Sequence, residues 1–163
     1  MANRCFAVGL LCLLLAACAS YPTPQKGDPL PSFSMLNLDG KAYSSDSIRA
    51  GAVTVFLYFR PDCPHCRQET ADIMSHADSL QNVRFIFLTW QPLDRLRQYA
   101  DSFRFASCPN IRAGVDYTKA FKRQYNVDRV PCAVIFGRDR TLYRIYYGGA
   151  PVDSFTVLNR ASL

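Results

Sequence analysis

The sequence predicts an α/β protein in which a central mixed β-sheet is flanked by helices and preceded by an N-terminal β-hairpin. Two apolar runs rich in β-branched and aromatic residues, at 52–59 and 82–89, are each followed by a segment with helical features. The chain then closes with two β-type segments, at 133–136 and 142–147, on either side of a polar turn. Alternating strands and helices indicate a layered sheet, and the closing pair adds antiparallel strands to it.

The first half of this order begins with a hairpin over residues 33–43, where Asp39-Gly40 is a typical turn dipeptide. A short polar turn over 44–49 leads to the strand at 52–59, which is continuously apolar and therefore predicted to be central. A helix is predicted from Pro64 to about Leu80, because proline is well tolerated in a first helical turn.

The second half starts with the strand at 82–89 and a helix over 92–103. A short extended piece is expected near Phe105, followed by a loop around Cys108-Pro109. Further elements are a helix over 116–125 with Asp116 as its N-cap, the two closing strands and a short helix over 152–160.

The N-terminus has the features of a targeting segment. Four residues with one arginine precede an apolar run over 5–15 that is short for a membrane span. Leu15-Ala16-Ala17-Cys18 resembles a bacterial lipobox, which is cut before its cysteine. The resemblance implies a signal peptide over 1–17 and an acyl anchor on Cys18. Residues 18–31 are rich in proline and suit a tether, which leaves 32–163 as one domain.

The charge and the cysteines limit the possible environments. The formal net charge is +6, but the basic residues are scattered, which argues against a nucleic-acid partner. Beyond Cys18 the chain has four cysteines, and outside the cytoplasm these must pair, cycle or be buried. They are Cys63, Cys66, Cys108 and Cys132.

The motif Cys63-Pro64-His65-Cys66 lies between a strand and a helix. A thiol at a helix N-terminus faces unpaired N–H groups and the positive end of the helix dipole, which favours the thiolate, and His65 adds a potential positive charge. We therefore expect Cys63 to be the nucleophile and Cys66 to resolve the mixed disulfide. A purely structural disulfide is the alternative, but it would join residues that are already neighbours.

The chain resembles the TlpA/ResA-like thiol–disulfide oxidoreductases, which have a thioredoxin fold. The matching stretches follow the family order over nearly the whole chain after residue 17, and they are Gly27-Asp-Pro-Leu-Pro-Ser-Phe-Ser, Leu38-Asp-Gly-Lys41, Phe59 to Cys66, Glu69 and Val130-Pro131. The resemblance implies that Pro131 is cis and faces the two cysteines. Together with Val130, Pro64 and His65 it would shape the groove for a protein substrate.

The same resemblance gives Glu69 a role in cysteine titration, since a carboxylate there could accept the proton of the resolving thiol. Leu57 stands where many thioredoxins keep a buried acid, which strengthens the case for Glu69. The implied cofactor is only the redox-active Cys63–Cys66 disulfide. The implied partners are protein thiols or disulfides and a membrane electron donor or acceptor.

Two residues depart from the family pattern. Asp62 precedes Cys63 where tryptophan is common, and its carboxylate should oppose thiolate formation. Cys132 follows Pro131 where threonine is usual, which places a third thiol near Cys63. That thiol could resolve, be oxidised or pack as a small apolar group, and packing is favoured. Cys108 could pair with Cys132 or stay free.

The predicted function is thus an extracytoplasmic, lipid-anchored thiol–disulfide oxidoreductase. The Pro64-His65 pair is typical of oxidants, whereas the scaffold mostly reduces, and we favour a reductase or isomerase. One alternative is a non-catalytic or metal-binding lipoprotein, although no second C-x-x-C is present. Another is a thiol peroxidase of the AhpC/TSA type, for which Arg60 and Phe56 occupy the positions expected for Ser or Thr and for Pro.

Overall fold

The computed structural model describes residues 23–160 and contains a seven-stranded sheet with four α-helices in that part of the chain. The predicted signal peptide, the stretch that resembles a lipobox, and Cys18 lie outside the described residues. The strands are β1 (Ser34–Asn37), β2 (Ala42–Ser44), β3 (Val53–Tyr58), β4 (Val83–Thr89), β5 (Ile111–Val115), β6 (Cys132–Phe136) and β7 (Leu142–Tyr147). The helices are α1 (Pro64–Ser75), α2 (Leu93–Ser102), α3 (Ala120–Gln124) and α4 (Val152–Arg160).

The sheet is mixed and has the order β2-β1-β5-β4-β3-β6-β7. Strands β3, β4 and β5 are parallel, while β6 runs antiparallel to β3, and β7 antiparallel to β6. The hairpin of β1 and β2 joins the far side through an antiparallel pair with β5. The predicted fold class is confirmed.

Each face of the sheet has its own apolar core, because successive side chains of a strand point to opposite faces. On one face Val55 and Leu57 of β3 pack with side chains from α1, α2 and α4. On the other face Phe56 and Tyr58 pack with the hairpin and with Phe121 of α3. All six residues of β3 are buried, as expected of a central strand covered on both faces.

The prediction of a short extended piece near Phe105 is wrong. Residues Phe105–Ser107 form a 3₁₀ turn, and the strand that completes the sheet is β5, six residues later. Phe105 is apolar because it packs on Phe87, with ring centroids 4.5 Å apart. The sequence did not predict this strand, because Gly114 is unfavourable in a strand interior. Gly114 lies so close to Met35 that an added Cβ would come within 2.7 Å of the Met35 Sδ.

The helix predicted over 116–125 is shorter than expected, and Asp116 is not its N-cap. Helix α3 begins at Ala120, and Asp116 is fully buried before it. One Asp116 carboxylate oxygen accepts hydrogen bonds from the Tyr58 hydroxyl and the Lys122 N–H, both at 3.1 Å. The aspartate therefore ties α3 to the sheet from outside the helix. Likewise α1 ends at Ser75, and a 3₁₀ turn over Ala77–Leu80 continues it.

The N-terminal part of the described chain lies along the start of β7. Gly27 N–H donates to the Leu142 carbonyl at 2.8 Å, and Leu30 N–H donates to the Arg140 carbonyl at 2.9 Å. These residues fall within the segment predicted as a tether. No helix within residues 23–160 is both long and apolar enough to cross a membrane.

Candidate active site

Cys63 lies at the N-terminus of α1, directly after the loop that leaves β3. Its backbone is extended (φ −83°, ψ 119°), and its Sγ accepts a hydrogen bond from the Cys66 N–H at 3.4 Å. This is the geometry of a helix N-cap, in which a side chain satisfies an N–H that has no partner inside the helix. The sulfur is thus placed where the helix dipole and an N–H group stabilise negative charge.

Cys66 lies one helical turn further on and is fully buried. Burial raises the pKa of its thiol, and the nearby Cys63 and Glu69 raise it further. Both cysteines are free thiols in this structure. One thiol is therefore partly accessible and held as an acceptor, while the other is protonated and sheltered, which is the asymmetry expected of an attacking and a resolving cysteine.

The Val130–Pro131 peptide is cis and lies beside the dithiol. The Cys63 Sγ is 4.0 Å from the Val130 carbonyl oxygen, although 67 positions separate the two residues in the chain. Pro131 is buried, and its carbonyl accepts a hydrogen bond from Gly148 N–H at 2.8 Å. The strand order explains the proximity, because β3 ends and antiparallel β6 begins at the same edge of the sheet.

Glu69 points from α1 into the protein and is only 7% exposed. Its Oε1 accepts a hydrogen bond from the Ala150 N–H at 2.8 Å, while its Oε2 is buried without a hydrogen-bond partner. Burial raises the pKa of Glu69 to about 7, against the opposing effect of the Ala150 hydrogen bond. A buried carboxyl that titrates near neutral pH beside a protonated thiol is suited to proton transfer.

The loop between β7 and α4 holds that carboxylate, and the sequence reasoning did not identify it. Gly148 and Gly149 both have positive φ (91° and 110°), which places the Ala150 N–H toward α1. A Cβ on Gly149 would lie 3.4 Å from Pro131 Cγ and 3.9 Å from Glu69 Oε2. The adjacent glycines were the available sequence signal, because paired glycines mark a backbone that other residues rarely adopt.

The carboxylate of Asp62 does not act on Cys63 as an unpaired charge. Asp62 accepts two hydrogen bonds from the Arg60 guanidinium, at 3.0 Å and 2.6 Å, and both side chains are about half exposed. The hydrogen bond to Arg60 lowers the pKa of Asp62. Since the arginine balances the aspartate, the expected opposition of Asp62 to thiolate formation is largely offset.

Pro64 and His65, predicted to contact substrate, are exposed on the first turn of α1. They lie on the surface around the partly exposed Cys63, where an incoming chain would meet them. Beneath them, Thr70 and Tyr99 fix α1 against α2. The Thr70 hydroxyl donates to the Cys66 carbonyl at 2.9 Å and shares a hydrogen bond with the Tyr99 hydroxyl at 2.7 Å.

Cys132 follows Pro131 at the same edge of the sheet as the dithiol, but its side chain faces the other side of the sheet. Its side chain packs with Tyr58 and Val134, whereas Cys66 belongs to the opposite core. Burial, followed by the charges of Glu69 and Asp128, raises the pKa of Cys132 to about 12. The thiol is thus buried among apolar side chains, as the sequence favoured, and we expect it to be unreactive in the folded protein.

Cys108 lies at the opposite end of the sheet from Cys132. It precedes β5, whose first residue pairs with the early part of β4 at Phe85, whereas Cys132 pairs with Tyr58 at the end of β3. A disulfide needs Cα atoms within about 7 Å, and several strand residues at roughly 3.3 Å each separate these positions. The pairing that the sequence left open would require a different fold.

Leu57 and Trp90 have structural roles. Leu57 is fully buried in the core beneath α1, so Glu69 is the acid that reaches this region. Trp90 stacks on Tyr58 with ring centroids 5.6 Å apart, and the Lys122 ammonium lies 5.7 Å from the Trp90 ring centre. Among residues 23–160 no group of three or more His, Cys, Asp or Glu side chains is arranged to hold a metal ion.

Comparisons with known proteins place this chain in a family. A family model described as Redoxin matches residues 25–160. The thiol:disulfide interchange protein DsbE of Allochromatium vinosum is 31% identical over 103 residues, which is 59% of this chain. That match covers 56% of the relative, so the chain aligns with little more than half of its length.

Two solved structures illustrate the shared fold. The peroxidoxin BcpB of Mycobacterium tuberculosis has a TM-score of 0.71 at 14% identity, covering 84% of this chain and 97% of that protein. A putative thioredoxin of Neisseria meningitidis has a TM-score of 0.67 at 22% identity, covering 85% and 93%. The Redoxin match spans most of the chain, so this protein belongs to the Redoxin family, and its fold is thioredoxin-like.

Proposed function

We propose that this protein exchanges disulfides with protein substrates through Cys63 and Cys66, outside the cytoplasm and anchored to a membrane by Cys18. One observation carries the proposal. The N-capping thiol of Cys63 lies 4.0 Å from the Val130 carbonyl at a cis-proline, with a buried second thiol one turn away. An extended substrate could pair with the backbone near Val130 and present its sulfur to Cys63.

The reductive direction begins with attack of the Cys63 thiolate on one sulfur of a substrate disulfide. The substrate S–S bond breaks, a mixed disulfide forms on Cys63, and the other substrate sulfur leaves as a thiolate that takes up a proton. The Cys66 N–H, which holds the Cys63 sulfur in the reduced protein, is then free to stabilise charge in the attack.

Cys66 completes the exchange. Its proton passes to the Glu69 carboxylate, and the resulting thiolate attacks the Cys63 sulfur. The bond between Cys63 and the substrate breaks, and the second substrate sulfur leaves as a thiolate that takes up a proton from solvent, while Glu69 returns its proton to solvent. The protein has then lost two electrons and holds a Cys63–Cys66 disulfide, while the substrate has gained two electrons and two protons. A membrane redox partner would restore the dithiol.

We propose that the protein acts as a reductase or isomerase of substrate disulfides. The relative from Allochromatium vinosum is a thiol:disulfide interchange protein, and the Arg60–Asp62 pair leaves the helix N-terminus without an excess positive charge that would strongly stabilise the reduced form. The Pro64-His65 pair argues in the other direction. The reduction potential therefore decides between the two.

The experiment is a redox titration of the purified chain in glutathione and dithiothreitol buffers, with the Cys63–Cys66 disulfide followed by mass spectrometry. A reductase is expected near the thioredoxin potential of about −270 mV, and an oxidant nearer the DsbA value of about −120 mV. If Cys63 and Cys66 do not form a disulfide at any potential while the fold is intact, the proposed chemistry is wrong.

A further inference from the structure

A basic cleft lies at the end of the sheet opposite the dithiol. It measures about 720 Å³ and opens where β3, β4 and β5 begin. Residues immediately before these strands, Ala52, Asn82 and Asn110, form part of its wall. Its charged lining consists of three arginines, Arg84, Arg112 and Arg138, which together we call the arginine cleft; no carboxylate lines it.

Two of these arginines are held in place by the backbone around them. Arg84 donates from Nη1 to the Arg49 carbonyl at 3.0 Å and to the Thr54 hydroxyl at 3.1 Å. Arg138 donates from Nη1 to the Gly51 carbonyl at 3.1 Å, and its buried Nε has no hydrogen-bond partner in the described structure. These guanidinium groups are therefore ordered without being neutralised.

The third arginine, Arg112, is exposed and lies over the Tyr43 ring at 5.6 Å. Within residues 23–160 none of the three arginines forms an ion pair. The acid nearest in sequence is Asp139, beside Arg138, and its carboxylate is occupied by the Thr141 N–H and hydroxyl. Positive charge thus accumulates in the cleft without an internal counter-ion.

The cleft and the dithiol are separated by the length of the sheet. Strand β4 runs from Val83, beside the cleft, to Thr89, at the edge where Cys63 and Pro131 lie. At roughly 3.3 Å per residue this strand is about 20 Å long. A surface that contacted the arginine cleft would therefore leave the dithiol exposed on the far side.

The N-terminal segment reaches the domain near the same end. Pro29 pairs with Thr141, one residue beyond the turn over 137–140 that carries Arg138. Between Cys18 and Gly27 there are nine residue steps, which span at most about 30 Å when extended. An anchor on Cys18 would therefore allow the cleft to reach the bilayer surface.

We propose that the arginine cleft docks on the anionic phosphate headgroups of the membrane that holds the chain, so that the dithiol faces away from the bilayer. This inference rests on the anchor at Cys18 in the proposed function. Guanidinium groups match phosphate oxygens with paired hydrogen bonds, and within residues 23–160 no carboxylate pairs with any of the three. Each basic residue near an anionic surface favours the docked state roughly fivefold.

The test uses Trp90, the only tryptophan of the chain, which follows β4 at the dithiol end. The full chain, purified from bacterial membranes, is reconstituted into vesicles of phosphatidylcholine alone or with phosphatidylglycerol, each with a trace of dansyl-labelled lipid. Docking holds Trp90 away from the headgroups, so energy transfer to dansyl is expected to fall in the anionic vesicles and to recover at high salt.

The combined variant Arg84→Gln, Arg112→Gln, Arg138→Gln should lose this difference, with the ratio of docked to undocked protein falling roughly a hundredfold. The matched control, Lys41→Gln, Arg95→Gln, Arg129→Gln, removes the same charge from other exposed positions and should keep it. Equal behaviour of the two triple variants, or no effect of phosphatidylglycerol on the unmodified chain, would overturn the proposal.

Arg84 and Arg138 also hold the backbone, so the single variant Arg112→Glu provides an independent test. Arg112 is exposed, and its replacement removes no side-chain hydrogen bond found within residues 23–160. It should lower the docked ratio at least fivefold, while loss of the contact with the Tyr43 ring shifts the thermal unfolding midpoint by only a few degrees; an unchanged docked ratio would contradict the proposal.

Two further outcomes are distinguishable. Saturable binding of inorganic phosphate to the vesicle-free protein at micromolar concentration would show a pocket for a free anion and overturn membrane docking. If the chain does not float with phosphatidylcholine vesicles, the anchor proposal fails, and docking is then tested by sedimentation of the same preparation with the two vesicle types. Disulfide exchange in solution is measured separately and depends on neither result.

Discussion

Glu69 accepts a hydrogen bond from the backbone N–H of Ala150, which joins α1 to the loop before α4 across 81 positions of the chain. Only Oε1 makes this bond, and the second oxygen, Oε2, is buried without a hydrogen-bond partner. The carboxyl is thus held in position but incompletely stabilised as an anion. This combination makes Glu69 a group whose protonation can be tested through both stability and reaction rate.

The free energy of unfolding should depend on pH through Glu69. Burial raises the pKa of Glu69 from 4.5 to about 7, so the folded state binds the proton more tightly than the unfolded chain. The contribution of Glu69 to stability is then fully present below pH 4.5 and is lost as the pH rises to about 7, by roughly 3 kcal/mol in all. Glu69→Gln, which keeps an acceptor for Ala150, should remove this fall. Denaturant titrations from pH 4 to 8 measure the free energy of unfolding. Parallel pH dependences for the unmodified protein and Glu69→Gln would contradict the prediction.

The rate at which Cys66 resolves the mixed disulfide should depend on the ionisation of Glu69. In a preformed mixed disulfide on Cys63, release of substrate by Cys66 should accelerate with an inflection near pH 7 as Glu69 ionises. Glu69→Gln should lack the inflection and be roughly 10²-fold slower above pH 7. Rapid-mixing kinetics with a fluorescent substrate disulfide test this. A variant that is slow but retains the inflection would assign the titration to another group.

Replacing Cys66 by alanine should trap the substrate on Cys63. Without the resolving thiol the mixed disulfide cannot be opened from within the protein, so adducts should accumulate in non-reducing gels. Cys132→Ala is the matched control, because Cys132 is equally buried but faces the other core. Adducts in the control, or none in Cys66→Ala, would contradict the assigned roles.

Cys63 and Cys108 should differ from Cys132 in the rate of alkylation. Cys63 and Cys108 are partly exposed and should react with iodoacetamide in the native protein. Cys132 is buried, and burial raises its pKa to about 12, so it should react only on unfolding. Mass spectrometry after timed labelling, with and without denaturant, gives the order. Rapid native labelling of Cys132 would show that its core opens readily.

The Arg60–Asp62 pair should moderate the reactivity of Cys63. Asp62→Asn leaves the guanidinium without its carboxylate near the helix N-terminus and should accelerate alkylation of Cys63 roughly two- to fivefold, a small effect because the pair is half exposed. Arg60→Gln should slow it by a similar factor. Equal rates of Cys63 alkylation in the two variants would show that Arg60 and Asp62 interact with each other but do not affect the Cys63 thiol.

Much of the fold and of the site follows from the sequence alone, because local patterns carry it. The alternation of apolar runs and helices predicted the mixed sheet, and the position of Cys63-Pro64-His65-Cys66 after a strand predicted the N-capping thiol. Strand β5 was not predicted, because glycine is uncommon in strands and Gly114 is needed here for close contact with Met35, which is distant in the chain. Asp116 was misplaced for the same reason, because its partner Tyr58 is 58 positions away.

The sequence by itself determined the type of chemistry, and the tertiary structure decided how the groups around it act. Two thiols at a helix start and a Val130-Pro131 dipeptide can be read from residues alone, because helix geometry fixes the spacing of neighbours. The burial of Glu69, the neutralisation of Asp62 by Arg60 and the opposite facing of Cys132 depend on packing and on strand register. In the proposed chemistry Cys63-Pro64-His65-Cys66 supplies the reactive sulfurs, and the surrounding fold sets their exposure and their charged neighbours.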